Sequence, residues 1–217
     1  MSKKPVKRRK VTAKPADEDE YDAKGEYVPH KRVCDVKIVG ISPYSQSKVI
    51  ETPRRPKEEG DAYDERCWSE RMHVDDKGVC FIPASAFKKA LETASSFLRE
   101  RVPGKGKSEF GKHFRAGVLI VENPTLGVKA KDVKCERVYV NADGKSGSGS
   151  RVWRRYPLFP KWQCDVEFII VDGTVTEEVF ERHLREAGQL VGIGRWRGEV
   201  GGMYGRFVVK SMKWRNA

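Results

Sequence analysis

The chain has 217 residues, of which 38% are hydrophobic and 34% are charged, and its formal net charge is +12. This composition predicts one domain with a core and additional polar segments, and no apolar run is long enough to span a bilayer. The positive charge predicts a polyanionic partner, most simply nucleic acid. Five cysteines and four histidines lie far apart without a C-x-x-C pair, so we expect no disulfide framework, no metal site, no cofactor and a reducing, cytoplasmic setting.

Residues 1–30 form a charged segment with almost no bulky apolar side chains. A basic block occupies residues 3–10, and an acidic block follows at Asp17–Glu20. Such a segment cannot bury enough surface to order itself, which predicts a disordered tail. The basic block has three interpretations, namely a nucleic-acid arm, a localisation signal or a solubilising tail.

The first half of the remaining chain predicts a strand, a polar insertion, a strand and a helix. Val33–Ile41 alternates apolar and polar residues, as a half-buried strand does, and ends in the polar turn SPYSQSK. Glu51–Gly78 is rich in charge and proline, so we expect a projecting insertion that holds a short helix. Pro83 opens a helix after the strand Val79–Ile82, and Lys88 lies off its apolar stripe near an end that favours anions.

The second half alternates short strands with glycine-rich loops. Residues 103–114 predict a basic, flexible loop, followed by strands at Gly117–Val121 and Val138–Asn141 and by a flexible Gly/Ser loop at 141–151. In Arg151–Trp162, cations alternate with aromatic rings, as in single-strand binding proteins or in a strand with core aromatics and exposed arginines.

The C-terminal part predicts a strand, a helix and a final strand. After the strand Cys164–Val171, Thr174 and Glu177 have the spacing of a capping box, and apolar residues at helical spacing continue to Val191. Arg206–Trp214 predicts the last strand. Without the insertions, the order strand, helix, strand, strand, helix, strand predicts an α+β, ferredoxin-like (RRM-like) fold, an antiparallel sheet with two helices on one face.

The segment Leu190–Phe207 holds six glycines, three arginines and three aromatic residues. Glycine permits close backbone approach, arginine suits phosphate, and aromatic faces suit bases. The segment follows a helix and precedes a strand, so it lacks the order of a dinucleotide-binding loop, and the chain has no P-loop motif. It is either a nucleic-acid-binding loop or a long structural turn.

Three segments in this order resemble the RAMP superfamily, the ferredoxin-like subunits that form the backbone of CRISPR effector complexes. They are VKIVGISPYSQSK, IPASAFKKAL and GIGRWRGEVGGMYGRF. The sequence from about residue 31 to 214 also resembles proteins encoded by tailed phages and prophages, which implies a bacterial host cytoplasm. The resemblance implies subunits stacked head to tail along one strand of RNA or DNA, with 51–78 as a thumb-like insertion. Ala84 and Lys89 replace two glycines of the family's helix motif.

We therefore predict a non-enzymatic protein of residues 31–217 that binds single-stranded nucleic acid and other copies of itself. The predicted binding residues are Ser47, Lys48, Ser85, Lys88, Arg115, Arg151, Arg154, Gly192, Gly194, Arg195, Trp196, Arg197 and Arg206, with Trp153, Tyr156 and Tyr204 as further stacking side chains. One alternative is a metal-independent ribonuclease with His113 as its acid–base group. Another is a protein–protein adaptor that has lost nucleic-acid binding.

Overall fold

The computed structural model describes residues 31–142 and 149–216. The predicted tail 1–30 and most of the predicted Gly/Ser loop lie outside the described residues. The nine strands of the described part are β1 Arg32–Gly40, β2 Tyr44–Ser45, β3 Val79–Phe81, β4 Val118–Leu119, β5 Thr125–Lys129, β6 Lys134–Asn141, β7 Arg151–Phe159, β8 Gln163–Ile170 and β9 Phe207–Asn216. The four α-helices of that part are α1 Gly60–Cys67, α2 Ala84–Leu98, α3 Gly111–Gly117 and α4 Glu177–Glu186.

The main sheet has the strand order β4-β8-β1-β9, and each neighbouring pair is antiparallel. The central strand β1 alternates as predicted, with Cys34, Val36 and Ile38 buried and Asp35 exposed between them. Because successive side chains of a strand point to opposite faces, this pattern gives the sheet one apolar and one polar face.

Helices α2 and α4 cover the apolar face of this sheet. Phe87 of α2 lies edge-on to Phe168 and Phe207, with ring centroids 6.4 and 5.7 Å apart. Phe180 of α4 packs on the same Phe168 at 5.1 Å. These fully buried rings explain the apolar helical stripes of the sequence and fix both helices on one side of the sheet.

A second sheet, with the order β2-β7-β6, carries the insertion. Helix α1 packs against β7, where the fully buried carboxylate of Asp64 accepts hydrogen bonds from Arg71 at 2.8 Å and Arg154 at 3.3 Å. The short helix predicted in 51–78 is therefore α1, and the ion pair between its buried Asp64 and Arg154 of β7 attaches it to the sheet. β3 and β5 pair separately.

Two local predictions were wrong. The segment 103–114 was predicted to be a flexible loop throughout, but from Gly111 it forms α3, because Phe110 and Phe114 are one helical turn apart and both are buried. The N-cap of α4 is Thr176, whose hydroxyl accepts a hydrogen bond from the amide of Val179 at 3.3 Å. Thr174 has the predicted spacing but lies two residues before the cap.

Four of the five cysteines are buried, and Cys135 is partly buried. Burial raises the pKa of the Cys34 thiol to about 12, so this thiol stays protonated at neutral pH. The described residues contain no cluster of three or more histidine, cysteine or acidic side chains that could hold a metal ion. None of the helices in the described part is both long and apolar enough to cross a bilayer.

Candidate nucleic-acid interface

The glycine-rich segment, here called the glycine loop (residues 192–206), is tied to the turn between β1 and β2. The amide of Arg195 donates to the carbonyl oxygen of Ser45 at 2.9 Å, and the amide of Gly205 donates to that of Pro43 at 2.7 Å. Within the loop, the amide of Ile193 donates to the carbonyl of Gly205 at 3.0 Å. The loop is therefore a folded part of the domain with fixed backbone contacts.

These contacts explain why two positions of the glycine loop are occupied by glycine. A Cβ at Gly194 would overlap the ring of Tyr44 and the carbonyl oxygen of Ser45, and one at Gly205 would overlap the carbonyl of Ile193. Both residues also have positive φ, 78° and 68°. The sequence predicted that glycine would let a ligand approach the backbone, but at these two positions the chain itself occupies the space.

A groove of about 420 Å³ opens between the glycine loop, the residues after β2 and the start of α2. We call it the polar section. Seven of the residues predicted from the sequence line it, namely Ser47, Lys48, Ser85, Gly192, Gly194, Arg195 and Arg197. Sequence positions more than 140 residues apart thus meet at one surface.

A second depression of about 680 Å³ continues from the first, because Ser47 and Arg195 line both. We call it the apolar section. Val49, 76% exposed, and Trp196, 44% exposed, lie among its lining residues, together with the predicted Arg154. The two sections are together called the groove. Both are lined by polar and apolar residues, and the apolar section is named for its exposed Val49, Trp196 and Val200.

The groove is cationic. Among the described residues that line it there is no aspartate or glutamate, and the cationic side chains are Lys48, Arg71, Lys89, Arg154, Arg195 and Arg197. Two of these cations form ion pairs with carboxylates that do not line the groove. Arg197 pairs with Glu199 at 2.7 Å, and Arg195 pairs with Glu136. These pairs fix the guanidinium groups in place before any ligand binds.

Arg195 is the most strongly held of these cations. Its guanidinium lies 4.1 Å from the ring centroid of Tyr156, donates to the hydroxyl of Ser45 at 3.0 Å and pairs with Glu136. Burial lowers its pKa to about 10, which leaves it charged at neutral pH. Arg71 lies 4.8 Å from the Tyr156 centroid, so cations already contact the Tyr156 ring that the sequence predicted to stack on bases.

Trp196 is exposed to solvent, whereas Tyr156 is only partly exposed. It is a non-glycine residue with positive φ, 51°, a conformation that costs on the order of 1–3 kcal/mol and is held by surrounding contacts. The amide of Tyr204 donates to its carbonyl at 3.0 Å, and the two rings meet edge-on at 5.1 Å. The indole is thereby held at the edge of the apolar section.

The start of α2 forms one wall of the polar section. Pro83 is its N-cap residue, the amide of Ala84 donates to the side-chain oxygen of Asn123 at 2.8 Å, and Ser85 is exposed to the groove. The positive end of a helix dipole favours anions at this position. Sequence reasoning missed Asn123, because no local pattern places it beside a helix 39 residues away.

His73 is a groove residue that the sequence did not single out. It lies in the polar section, and burial together with the nearby charge of Lys48 lowers its pKa from 6.5. Its backbone amide donates to the side chain of Gln46 at 2.8 Å. This contact, together with the hydrogen bond from the amide of Phe81 to its carbonyl oxygen at 3.0 Å, places His73 in the groove.

Four predicted binding residues lie outside the groove. The ammonium of Lys88 donates to the carbonyl oxygens of Phe114 at 3.2 Å and Arg115 at 2.6 Å, so it caps α3, and burial lowers its pKa. Arg115 is exposed and 3.8 Å from Glu92, and Arg151 lines a separate depression with Trp153. The amide of Arg206 donates to the hydroxyl of Ser42 at 2.9 Å.

His113, the acid–base residue of the ribonuclease alternative, also lies elsewhere. Its Nδ1 is 2.6 Å from the carboxylate of Asp172, its side chain is 12% exposed, and its Nε2 is buried. The imidazole packs beside Phe110 at the base of α3. It therefore does not face the groove.

The polar face of the main sheet has a different character. Four carboxylates, those of Asp35, Glu122, Asp165 and Glu167, line a depression on it with only two cations, Lys37 and Lys213. The described residues that line it include no aromatic ring. RRM-type proteins meet bases on this face, but here it lacks rings that could stack on bases.

No protein-family model and no curated protein sequence matches the chain. Solved structures with a similar backbone include a chain of the Type III-B Cmr-beta complex bound to cognate target RNA, with a TM-score of 0.49, 16% identity and 86% of this chain covered. The present chain spans 61% of the length of that chain.

Cmr6 from Pyrococcus furiosus has a TM-score of 0.44 and 13% identity, over 82% of this chain and 98% of the other. A CRISPR RNA-guided surveillance complex has a chain with a TM-score of 0.38 and 8% identity, over 84% and 67% of the two chains. At these TM-scores the function has to be argued from this chain's own contacts. The last of these chains belongs to a CRISPR complex, the kind of assembly whose subunits the sequence motifs of this chain resemble.

Proposed function

We propose that this chain is a non-enzymatic protein that binds one strand of nucleic acid along the groove. The observation that carries the proposal is the composition of that groove, where six cations meet and no carboxylate of the described residues lines the surface. A polyanion is the ligand that such a surface favours, and the net charge of +12 agrees with it.

The two sections of the groove suit the two parts of a nucleotide. In the polar section, phosphates would contact Lys48, Lys89 and the exposed hydroxyl of Ser85 at the positive end of α2. In the apolar section, an unpaired base would lie against Trp196 and Val49. A duplex keeps its bases stacked inside, so the apolar section favours a single strand.

The fold and the assembly belong to the same proposal. The order β4-β8-β1-β9 with α2 and α4 on one face supports a ferredoxin-like domain. Exposed apolar side chains lie at both edges of the sheet, with Val121 and Leu119 beside β4 and Ile41 and Val208 beside β9. The RAMP resemblance implies that such edges meet head to tail along the strand, with 51–78 acting as a thumb.

Binding of labelled single-stranded oligonucleotides, followed by fluorescence anisotropy, tests the proposal. We expect affinity to fall steeply between about 50 and 200 mM salt, because phosphate contacts release counterions. Replacing Lys48 and Lys89 by alanine should lower affinity about tenfold or more, since a hydrogen bond to a charged group contributes about 1.5 kcal/mol or more. The salt slope should also fall by about 2.

The matched control removes two cations from the polar face of the main sheet, Lys37 and Lys213, and so changes the net charge equally. It should keep most of the wild-type affinity. Equal losses in both double variants, or no binding to any single strand at low salt, would contradict the proposal. Incubation of labelled RNA with the protein in EDTA separately tests for cleavage.

A further inference from the structure

The acidic block Asp17–Glu20 is the anionic motif of the sequence that the proposed binding site does not use. Its four consecutive carboxylates come after the basic block and before β1. An extended chain places successive residues about 3.3–3.6 Å apart. A nucleic-acid strand carries one charge per about 3.4 Å of helix axis. An extended acidic block therefore has a charge density close to that of one strand.

The groove is the complementary surface. Its two exposed lysines are weakly engaged, because Lys48 is 3.7 Å from Glu51 and Lys89 has no ion pair with any described residue. The other large depression with charged walls, on the polar face of the main sheet, has four carboxylates and would repel the block. Of these two depressions, only the groove has a charge that complements the acidic block.

The chain is long enough to reach it. The described part begins beside Arg32, at one end of β1, and the groove lies beyond Gly40, at the other end. A nine-residue strand spans about 30 Å. Roughly a dozen residues separate Glu20 from Arg32, and they extend to about 40 Å. The linking residues are therefore long enough for the acidic block to reach the end of β1 at which the groove opens.

We propose that the acidic block Asp17–Glu20 docks in the polar section of the groove and competes there with nucleic acid. The competition rests on the proposed function, whereas the docking does not. A ligand strand would have to displace the block, so its apparent affinity falls by the fraction of molecules in which the groove is already occupied.

Carbodiimide coupling of the full chain, without nucleic acid, tests the docking directly. This reagent joins carboxylates to lysine amines in contact, and mass spectrometry of the digest identifies the pairs. We expect the acidic block to be joined to Lys48 or Lys89, and addition of a single-stranded oligonucleotide should reduce these products. Coupling only to the basic block at residues 3–10, or to Lys37 and Lys213, would overturn the proposal.

Neutralising the block in the full chain tests the competition. The variant carries Asp17→Asn, Glu18→Gln, Asp19→Asn and Glu20→Gln. Its control carries the same number of charge changes at exposed carboxylates of the folded part, Asp76→Asn, Glu122→Gln, Asp165→Asn and Glu178→Gln. If the block occupies the groove in most molecules, the first variant should bind about fivefold more tightly than the control.

Equal affinities of the two variants would overturn the competition. If the couplings to Lys48 or Lys89 form but no variant binds an oligonucleotide, the docking stands and the proposed function fails. If oligonucleotides bind, the couplings are absent and the variants are equal, the docking fails and the proposed function stands.

Discussion

The groove and the polar face of the main sheet contain the same types of charged residue in opposite balance. The groove has six lining cations and no lining carboxylate among the described residues, whereas the depression on the sheet face is lined by four carboxylates and two cations. The cations of the two regions also differ in burial. The guanidinium of Arg195 is largely buried over the ring of Tyr156, whereas the side chain of Arg215 is half exposed between Asp35 and Glu167. A net charge of +12 therefore says nothing about where a polyanion binds; the placement of the carboxylates decides it.

The largest difference should appear when one arginine is removed from each region. Arg195→Met removes the cation from the largely buried Glu136, which keeps the hydrogen bond from the Tyr204 hydroxyl at 2.9 Å, so we expect a loss of about 3 kcal/mol in the free energy of unfolding. Arg215→Met removes an exposed ion pair and should cost less than about 1 kcal/mol. Urea unfolding of both variants measures the contrast, and similar losses would show that the groove is no more preorganised than the sheet face.

A smaller effect separates two glycines within the glycine loop. Gly205 and Gly201 both have positive φ, so alanine strains the backbone at either position by about 1 kcal/mol. Only at Gly205 would the new Cβ overlap the chain, at the carbonyl of Ile193, whereas Gly201 has open space. We expect Gly205→Ala to lower the free energy of unfolding by about 3 kcal/mol in total, because overpacking adds to the strain.

The same two variants test whether nucleic-acid binding in the groove depends on the backbone contacts of the glycine loop. Gly201→Ala should bind single strands as the wild type does, because its Cβ meets nothing and Gly201 does not line the groove. Gly205→Ala should bind more weakly even where it remains folded. Normal binding by a folded Gly205→Ala protein would show that the groove does not depend on the loop's backbone contacts.

The smallest expected effect is a pH dependence of binding through His73. Burial and Lys48 hold its pKa below 6.5 in the free protein, and a bound phosphate would raise it again. The bound state then holds more protons, so affinity should rise as the pH falls from about 8 to about 6, by up to tenfold for each unit of pKa increase. His73→Asn should remove this rise, and an unchanged pH profile in that variant would place the bound phosphates away from His73.

The elements of the main sheet could be predicted because their signals are local. The alternation in β1, the helical stripe of α2 and the polar turn that contains Ser47 and Lys48 each depend on neighbouring residues. The helix within 51–78 was also predicted, but its attachment to β7 through the buried Asp64 was not, because this contact joins residues 90 positions apart.

The groove could be predicted only in part for the same reason. Residues of the polar turn and the glycine loop meet there, as their composition indicated, but Lys88 has the same residue type as Lys89 and points to α3 instead. His73 lies in the groove and Asn123 caps the start of α2 through long-range hydrogen bonds that no sequence spacing records. Composition therefore predicted the chemistry of the site, and tertiary contacts decided its membership.

Lysine footprinting tests the central claim most directly. The protein is acetylated with and without a single-stranded oligonucleotide, and the modification of each lysine is measured by mass spectrometry. The account predicts that the oligonucleotide protects Lys48 and Lys89 in the groove and leaves Lys37 and Lys213 on the sheet face equally reactive. Protection of Lys37 and Lys213 with unchanged reactivity of Lys48 and Lys89 would contradict it.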